Sequence, residues 1–152
     1  MIKIVCVGKI KEKYLQDGIN EYLKRCSPFG KTIILEAKEV TTLDDDKNKK
    51  EEGKDILSLI KDDEFVISLE INGKELSSIE LANLINEKFT YGDSNITFVI
   101  GGSTGLSDDV IKRANYHLSF GKNTYPHQLM RLILMEQIYR SFMIINNHKY
   151  HK

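Results

Sequence analysis

The sequence predicts an α/β protein, a mostly parallel sheet with helices on both faces, built as one domain over residues 1–152. Three observations predict it. Apolar runs of strand length alternate with segments whose apolar residues recur at helical spacing, in the order β-α-β-α-β-α-β-α-β-α, and such alternation favours parallel strands joined by crossover helices. The runs at 1–7 and 96–100 are apolar enough to be buried strands. Finally, 152 residues with 41% hydrophobic content make a core available without disulfides or metals. A compact chain of this size buries roughly 68–70% of its unfolded surface.

Taken in order, residues 1–7 are the first strand, closed by Gly8. Tyr14, Leu15, Ile19, Tyr22 and Leu23 mark a helix over 14–25, and Ser27-Pro28-Phe29-Gly30 a turn. The run Ile33-Ile34-Leu35 centres a second strand over 32–40. Residues 44–54 are dense in charge, the solvated face of a helix or a loop. They lead to Ile56, Leu57, Leu59 and Ile60, expected on the buried side of a helix. The third strand spans 65–71, with Asn72-Gly73 as a turn. Ser77 and Glu80 have capping-box spacing ahead of a helix carrying Leu81, Leu84, Ile85 and Phe89. A fourth strand at 96–100 leads into Gly101-Gly102-Ser103-Thr104-Gly105, a short helix over 107–114 and a fifth strand over 116–120. Pro126 opens the last helix, to about residue 146, because proline suits a first helical turn.

Composition narrows the classes. Two prolines and ten glycines exclude collagen-like and disordered chains. No apolar run approaches the roughly 20 residues of a membrane span. The apolar N-terminal stretch is too short for a signal-peptide core, and Cys6 and Cys26 suggest no disulfide framework. A cytoplasmic protein without a membrane partner is expected. Net charge is zero, 22 basic residues against 22 acidic, yet the charges are segregated. Residues 1–35 carry a net +4, residues 36–110 a net −10 and residues 111–152 a net +6. The basic C-terminal segment, which also holds all four histidines, suits an anionic partner; the alternative is a chance gradient.

Two non-regular stretches offer a site. The glycine loop after the fourth strand would let backbone approach a ligand at a strand end, although it matches neither G-x-G-x-x-G nor a P-loop. A tight structural turn is the alternative. The second stretch, Phe120, Gly121, Lys122, Asn123, Thr124 and Tyr125, would meet the first if their strands are neighbours, and converging loops make pockets. The last helix is apolar around nearly its whole circumference, which points to a subunit interface. On it, His127 and Arg131 share a face beside the second loop, and Glu136 and Arg140 have the spacing of a structural ion pair. His148 and His151 lack further ligands, so no metal is expected. There is no G-x-S-x-G nucleophile motif, and Cys6 reads as strand core.

Several tracts together resemble the RlmH family of small SPOUT-class methyltransferases. They are residues 98–107, Leu118-Ser119-Phe120, Thr124-Tyr125-Pro126-His127-Gln128-Leu129, Glu136-Gln137-Ile138-Tyr139-Arg140 and the terminal Tyr150-His151-Lys152, with residues 1–8 and 65–74 in support. The resemblance covers essentially the whole chain. It implies a C-terminal trefoil knot, a homodimer, S-adenosylmethionine as cofactor, and methylation of N-3 of a pseudouridine in 23S ribosomal RNA on the large subunit or whole ribosome. By position it implies that Leu69 lines the cofactor pocket, that Gly101 presents backbone to the ligand, and that residues 120–125 embrace adenine and ribose. Gly121-Lys122-Asn123 departs from the hydrophobic or small residues common in relatives. His127, Arg131, Tyr150 and His151 are the candidates for substrate contact, with no general base assigned. The competing reading is a non-catalytic RNA- or ribosome-associated dimer whose glycine loop binds phosphate; a small nucleotide-binding regulator is a third.

Overall fold

The structure is a computed structural model and describes residues 1–92 and 95–152. Five strands, β1 (Ile2–Val7), β2 (Thr32–Ala37), β3 (Phe65–Glu75), β4 (Ile96–Ile100) and β5 (Tyr116–Ser119), form one sheet in the order β2-β1-β4-β3-β5. Every pairing is parallel. Between them lie α1 (Lys13–Cys26), α2 (Asp45–Ser58), α3 (Ser78–Thr90) and α4 (Asp108–Arg113), and α5 (His127–Ile145) ends the series. Successive side chains of a strand point to opposite faces, so β1 feeds two cores. Ile2, Ile4 and Cys6 pack with α1, α3 and α5, while Val5 and Val7 pack with α2 and α4. The expected α/β sheet with helices on both faces is what forms.

Local signals place most elements. The capping box is complete: Ser77 Oγ accepts the Glu80 N–H at 3.1 Å and Glu80 Oε1 accepts the Ser77 N–H at 2.8 Å. Three expectations need correction. The second strand stops at Ala37 rather than 40, because the chain beyond it bonds to a helix and not to a strand. Asp55, Glu52 and Asn48 on one face of α2 accept the N–H groups of Lys38, Val40 and Thr42 at 2.6, 3.0 and 3.0 Å. Acceptors spaced three and four along a helix thus meet donors spaced two along an extended chain. This ladder buries Asn48 and Glu52, whereas Leu59 and Ile60 fall beyond the end of α2.

Asn72-Gly73 is not a turn that ends β3. Leu69 and Lys74 both pair with Leu118, so residues 70–73 bulge away and the strand resumes to Glu75. A Cβ at Gly73 would lie 2.8 Å from the Leu118 carbonyl carbon, so only glycine allows the closeness. Finally, α5 lies between α1 and α3 across the sheet, and none of its residues is fully exposed. Much of its apolar circumference finds partners within the chain, while Leu129, Leu132, Ile133 and Tyr139 stay partly exposed.

Candidate active site

The carboxyl ends of β3, β4 and β5 open into a cleft of about 330 Å³. Three pieces of chain build it. Leu69 comes from β3 just before its bulge and Ile71 from the bulge itself. The glycine loop follows β4, and its backbone folds on itself: Gly105 N–H donates to Gly102 carbonyl at 3.1 Å. A Cβ at Gly101 would lie 2.8 Å from the Gly105 carbonyl carbon. The third piece is the segment after β5, tied to the bulge by Ser119, whose Oγ donates to the Ile71 carbonyl at 2.9 Å and accepts the Gly121 N–H at 3.1 Å. The bulge in β3 and the loop after β5 are thereby one unit.

Of the residues expected to hold a cofactor, Leu69, Gly101, Phe120, Gly121, Asn123, Thr124 and Tyr125 all line this cleft. Lys122 does not; it lies outside, against Asn72 and Gly73 of the bulge. His127 lines the cleft from the start of α5, with its Nε2 enclosed by protein. Arg131, one turn on, is elsewhere. It is 2% exposed, donating to Glu36 Oε2 at 2.7 Å and to the Gly8 carbonyl at 3.1 Å, which makes it a clamp on the ends of β1 and β2. Tyr150 and His151 dock farther along α5. Tyr150 OH donates to Glu136 Oε1 at 2.9 Å, its ring meets Tyr139 edge-on at 4.9 Å, and the Arg140 guanidinium lies 4.7 Å from its centroid. Arg140 holds Glu136 at 2.8 Å and reaches His151 Nδ1 at 3.1 Å. Burial and the bond to Glu136 push the Tyr150 phenol up to about 12, so it stays a donor.

Two polar groups near the cleft escaped sequence reading. Ser68, on β3, is wholly buried and its Oγ lies 3.0 Å from His117 Nδ1, with the Glu70 carboxylate bonded to both. Alternation along β3 with its partner β5 would be the only signal for it. The other is Glu52, whose Oε1 lies beneath the glycine loop, 3.3 Å from where a Cβ on Gly102 would stand. Burial pushes its carboxyl above the ordinary range, against the Val40 N–H; Glu39 adds to the rise and His127 opposes it.

The walls are chiefly apolar, from Leu69, Ile100, Leu106, Leu118 and Met130, with backbone groups of three loops at the rim. Such a site suits a flat heterocycle recognised by main-chain hydrogen bonds. A parallel sheet with a cleft beyond its strand ends, walled by glycine-bearing loops, is the architecture of a ligand-binding α/β protein. The chain belongs to the SPOUT methyltransferase family: the family described as "Predicted SPOUT methyltransferase" matches residues 1–151. It is 53% identical to the ribosomal RNA large subunit methyltransferase H of Carboxydothermus hydrogenoformans, over 99% of both chains. To the proteins of the same name from Pediococcus pentosaceus and Enterococcus faecalis it is 56% and 54% identical, again over 99% of each. The fold is shared with a probable methylase family protein from Haemophilus influenzae Rd KW20, at a TM-score of 0.58 and 16% identity, over 99% of this chain and 70% of that one. As a member of a methyltransferase family the protein uses a methyl donor. Among the described residues no helix is long and apolar enough to cross a membrane, and no cluster of three or more His, Cys, Asp or Glu could hold a metal.

Proposed function

We propose that this protein is a cytoplasmic, S-adenosylmethionine-dependent methyltransferase that methylates N-3 of a pseudouridine in 23S ribosomal RNA, acting as a homodimer of single-domain, C-terminally knotted chains. The observation that carries it is the cleft where Leu69, Gly101 and residues 120–125 converge. The close identity to proteins named ribosomal RNA large subunit methyltransferase H supports the substrate. A homodimer is supported by the apolar residues of α5 that stay partly exposed, Leu129, Leu132, Ile133 and Tyr139 among them.

The apolar walls and loop backbones would hold the adenosine part of the donor. Bound there, S-adenosylmethionine supplies a methyl group already activated on a sulfonium. What the chain must do is hold the acceptor in line and remove its N–H proton. Calorimetry against S-adenosylhomocysteine, ATP, GTP and RNA tests the donor, and transfer of labelled methyl to large subunits tests the acceptor. Binding of the thioether with no response to ATP or GTP is expected. Binding of phosphate-bearing ligands instead would overturn the proposal.

A further inference from the structure

Three side chains hold the short loop between β1 and α1. The carbonyls of Gly8, Lys9 and Ile10 accept from Arg131 Nη2 at 3.1 Å, Gln128 Nε2 at 3.3 Å and Gln16 Nε2 at 2.8 Å. Across a trans peptide the carbonyl and the next N–H point in opposite directions. The N–H groups of Lys9, Ile10 and Lys11 therefore each point away from the helix that holds the neighbouring carbonyl, and none has a partner among the described residues. Ile10 is buried and anchors the loop, while Lys9 and Lys11 on either side of it are exposed. Neither lysine forms an ion pair, whereas Lys13 is taken by Asp17 at 3.0 Å. Of the nearby carboxylates, Glu36 is bound by Arg131, and Glu39 stands against Gly8 without reaching either lysine. A guanidinium buried as deeply as that of Arg131 is weak evidence of added stability. What it secures is the shape of a surface loop, and a loop already shaped is less costly to order on binding.

We infer that this loop docks the sugar–phosphate backbone of the RNA substrate: Lys9 and Lys11 neutralise phosphates, and the N–H groups of residues 9–11 donate to phosphate oxygens. This rests on the proposed function. The loop borders the cleft. All the strands are parallel, so β1 ends on the same side of the sheet as β3, β4 and β5. A Cβ on Gly102 of the glycine loop would lie 3.1 Å from Val7 Cγ1, and Gln128, which holds the Lys9 carbonyl, follows His127 of the cleft wall. Main-chain N–H groups beside lysines suit an anion rich in acceptor oxygens. An acidic peptide would meet the lysines equally well. The neighbouring cleft, however, is where an RNA base must arrive, and its flanking phosphates arrive with it.

Binding of the full chain to large ribosomal subunits at a series of salt concentrations reads the contacts. Each phosphate contact adds roughly 0.7 to 0.9 to the log–log slope, so the double variant Lys9→Gln, Lys11→Gln should flatten it by about 1.4 to 1.8 and weaken affinity at least about threefold. Neither lysine lines the cleft. Affinity for S-adenosylhomocysteine should therefore change by less than about twofold, and the single-turnover rate at saturating subunits should hold. Lys31→Gln with Lys61→Gln makes the same charge change ahead of β2 and β3, at the opposite end of the sheet, and should leave the slope alone. Hydrogen exchange over residues 9–11 should slow when subunits bind, and an unchanged rate overturns the role of those N–H groups. An unchanged slope in the Lys9 and Lys11 variant overturns the inference. Equal flattening in the control pair overturns it as well, since net charge alone would then be responsible. A lost affinity for the thioether does so too, by placing the lysines in donor binding. A wild-type chain that neither binds subunits nor methylates their RNA sinks the proposed function. One that does both, and is matched by the variant, sinks the inference alone.

Discussion

Lys3 and Glu64 meet at 2.6 Å under the sheet, both nearly inaccessible, with Thr97 Oγ1 donating to the same carboxylate at 2.5 Å and Lys3 Nζ also reaching the Leu59 carbonyl at 2.7 Å. Burial alone would raise the Glu64 carboxyl, but the bonds from Lys3 and Thr97 and the Lys3 charge outweigh it and hold it below the ordinary range. A depressed carboxylate stabilises the fold above its unfolded pKa of about 4.3, and that contribution disappears as pH falls through the folded value. Lys3→Met removes the ammonium, so that only the bonds from Thr97 and the Lys61 backbone oppose burial and the carboxyl rises. The variant should lose about 3–5 kcal/mol at pH 7, the cost of a buried charge without its partner. Its deficit should then shrink on acidification, as Glu64 takes up a proton, while the wild-type chain weakens. Denaturant midpoints from pH 7 to pH 4 check this, and parallel pH curves for the two chains would refute it.

At the scale of elements, Gly101 shows how one position couples a strand to the cleft. Its missing side chain admits the Gly105 carbonyl, with Gly105 N–H closing back on Gly102. Gly101→Ala should therefore weaken S-adenosylhomocysteine binding by about tenfold or more, roughly 1.4 kcal/mol, by displacing the loop rather than by filling ligand space. Unchanged affinity in the folded variant would clear the loop of any part in binding. Both glycine-bearing loops were legible in the sequence because they interrupt apolar strands, and the capping box of α3 because it is local. The site elements that escaped depend on distant chain. Residues 44–54 read as a solvated charge run, yet Asn48, Glu52 and Asp55 turn inward to donors at 42, 40 and 38, a match between helical and extended spacing that hydrophobic periodicity does not register. Asn72-Gly73 reads as a turn, but Gly73 serves a close pass by Leu118, forty-five residues on. Arg131 adjoins His127 in sequence and shares its face, though the ends of β1 and β2 claim it.

Across the whole molecule, the basic stretches 1–35 and 111–152 supply α1 and α5, which pack on one side of the sheet together with α3 from the acidic stretch, while α2 lies on the other. The residues that follow α5 belong to the basic C-terminal stretch and are not frayed: Tyr150 is fastened to Glu136, Tyr139 and Arg140, and His151 to Arg140. That anchoring presents Lys149 and Lys152 from a fixed platform, away from the cofactor cleft. Removal of residues 150–152 strips the bond to Glu136 and the aromatic contact, so melting should fall by the equivalent of about 1–3 kcal/mol. Affinity for S-adenosylhomocysteine should hold, since none of the tail's partners lines the cleft. Methyl transfer to ribosomal RNA should drop by at least about tenfold, some 1.4 kcal/mol, if the tail contributes an aromatic face, a histidine and a lysine to the RNA. Salt dependence separates this from mere loss of stability. Each phosphate contact adds roughly 0.7 to 0.9 to the log–log slope of affinity against salt, so losing Lys152 should flatten the slope by about that amount per contact. A truncated chain that melts lower yet keeps both the single-turnover rate and the salt slope confines the tail to bracing α5.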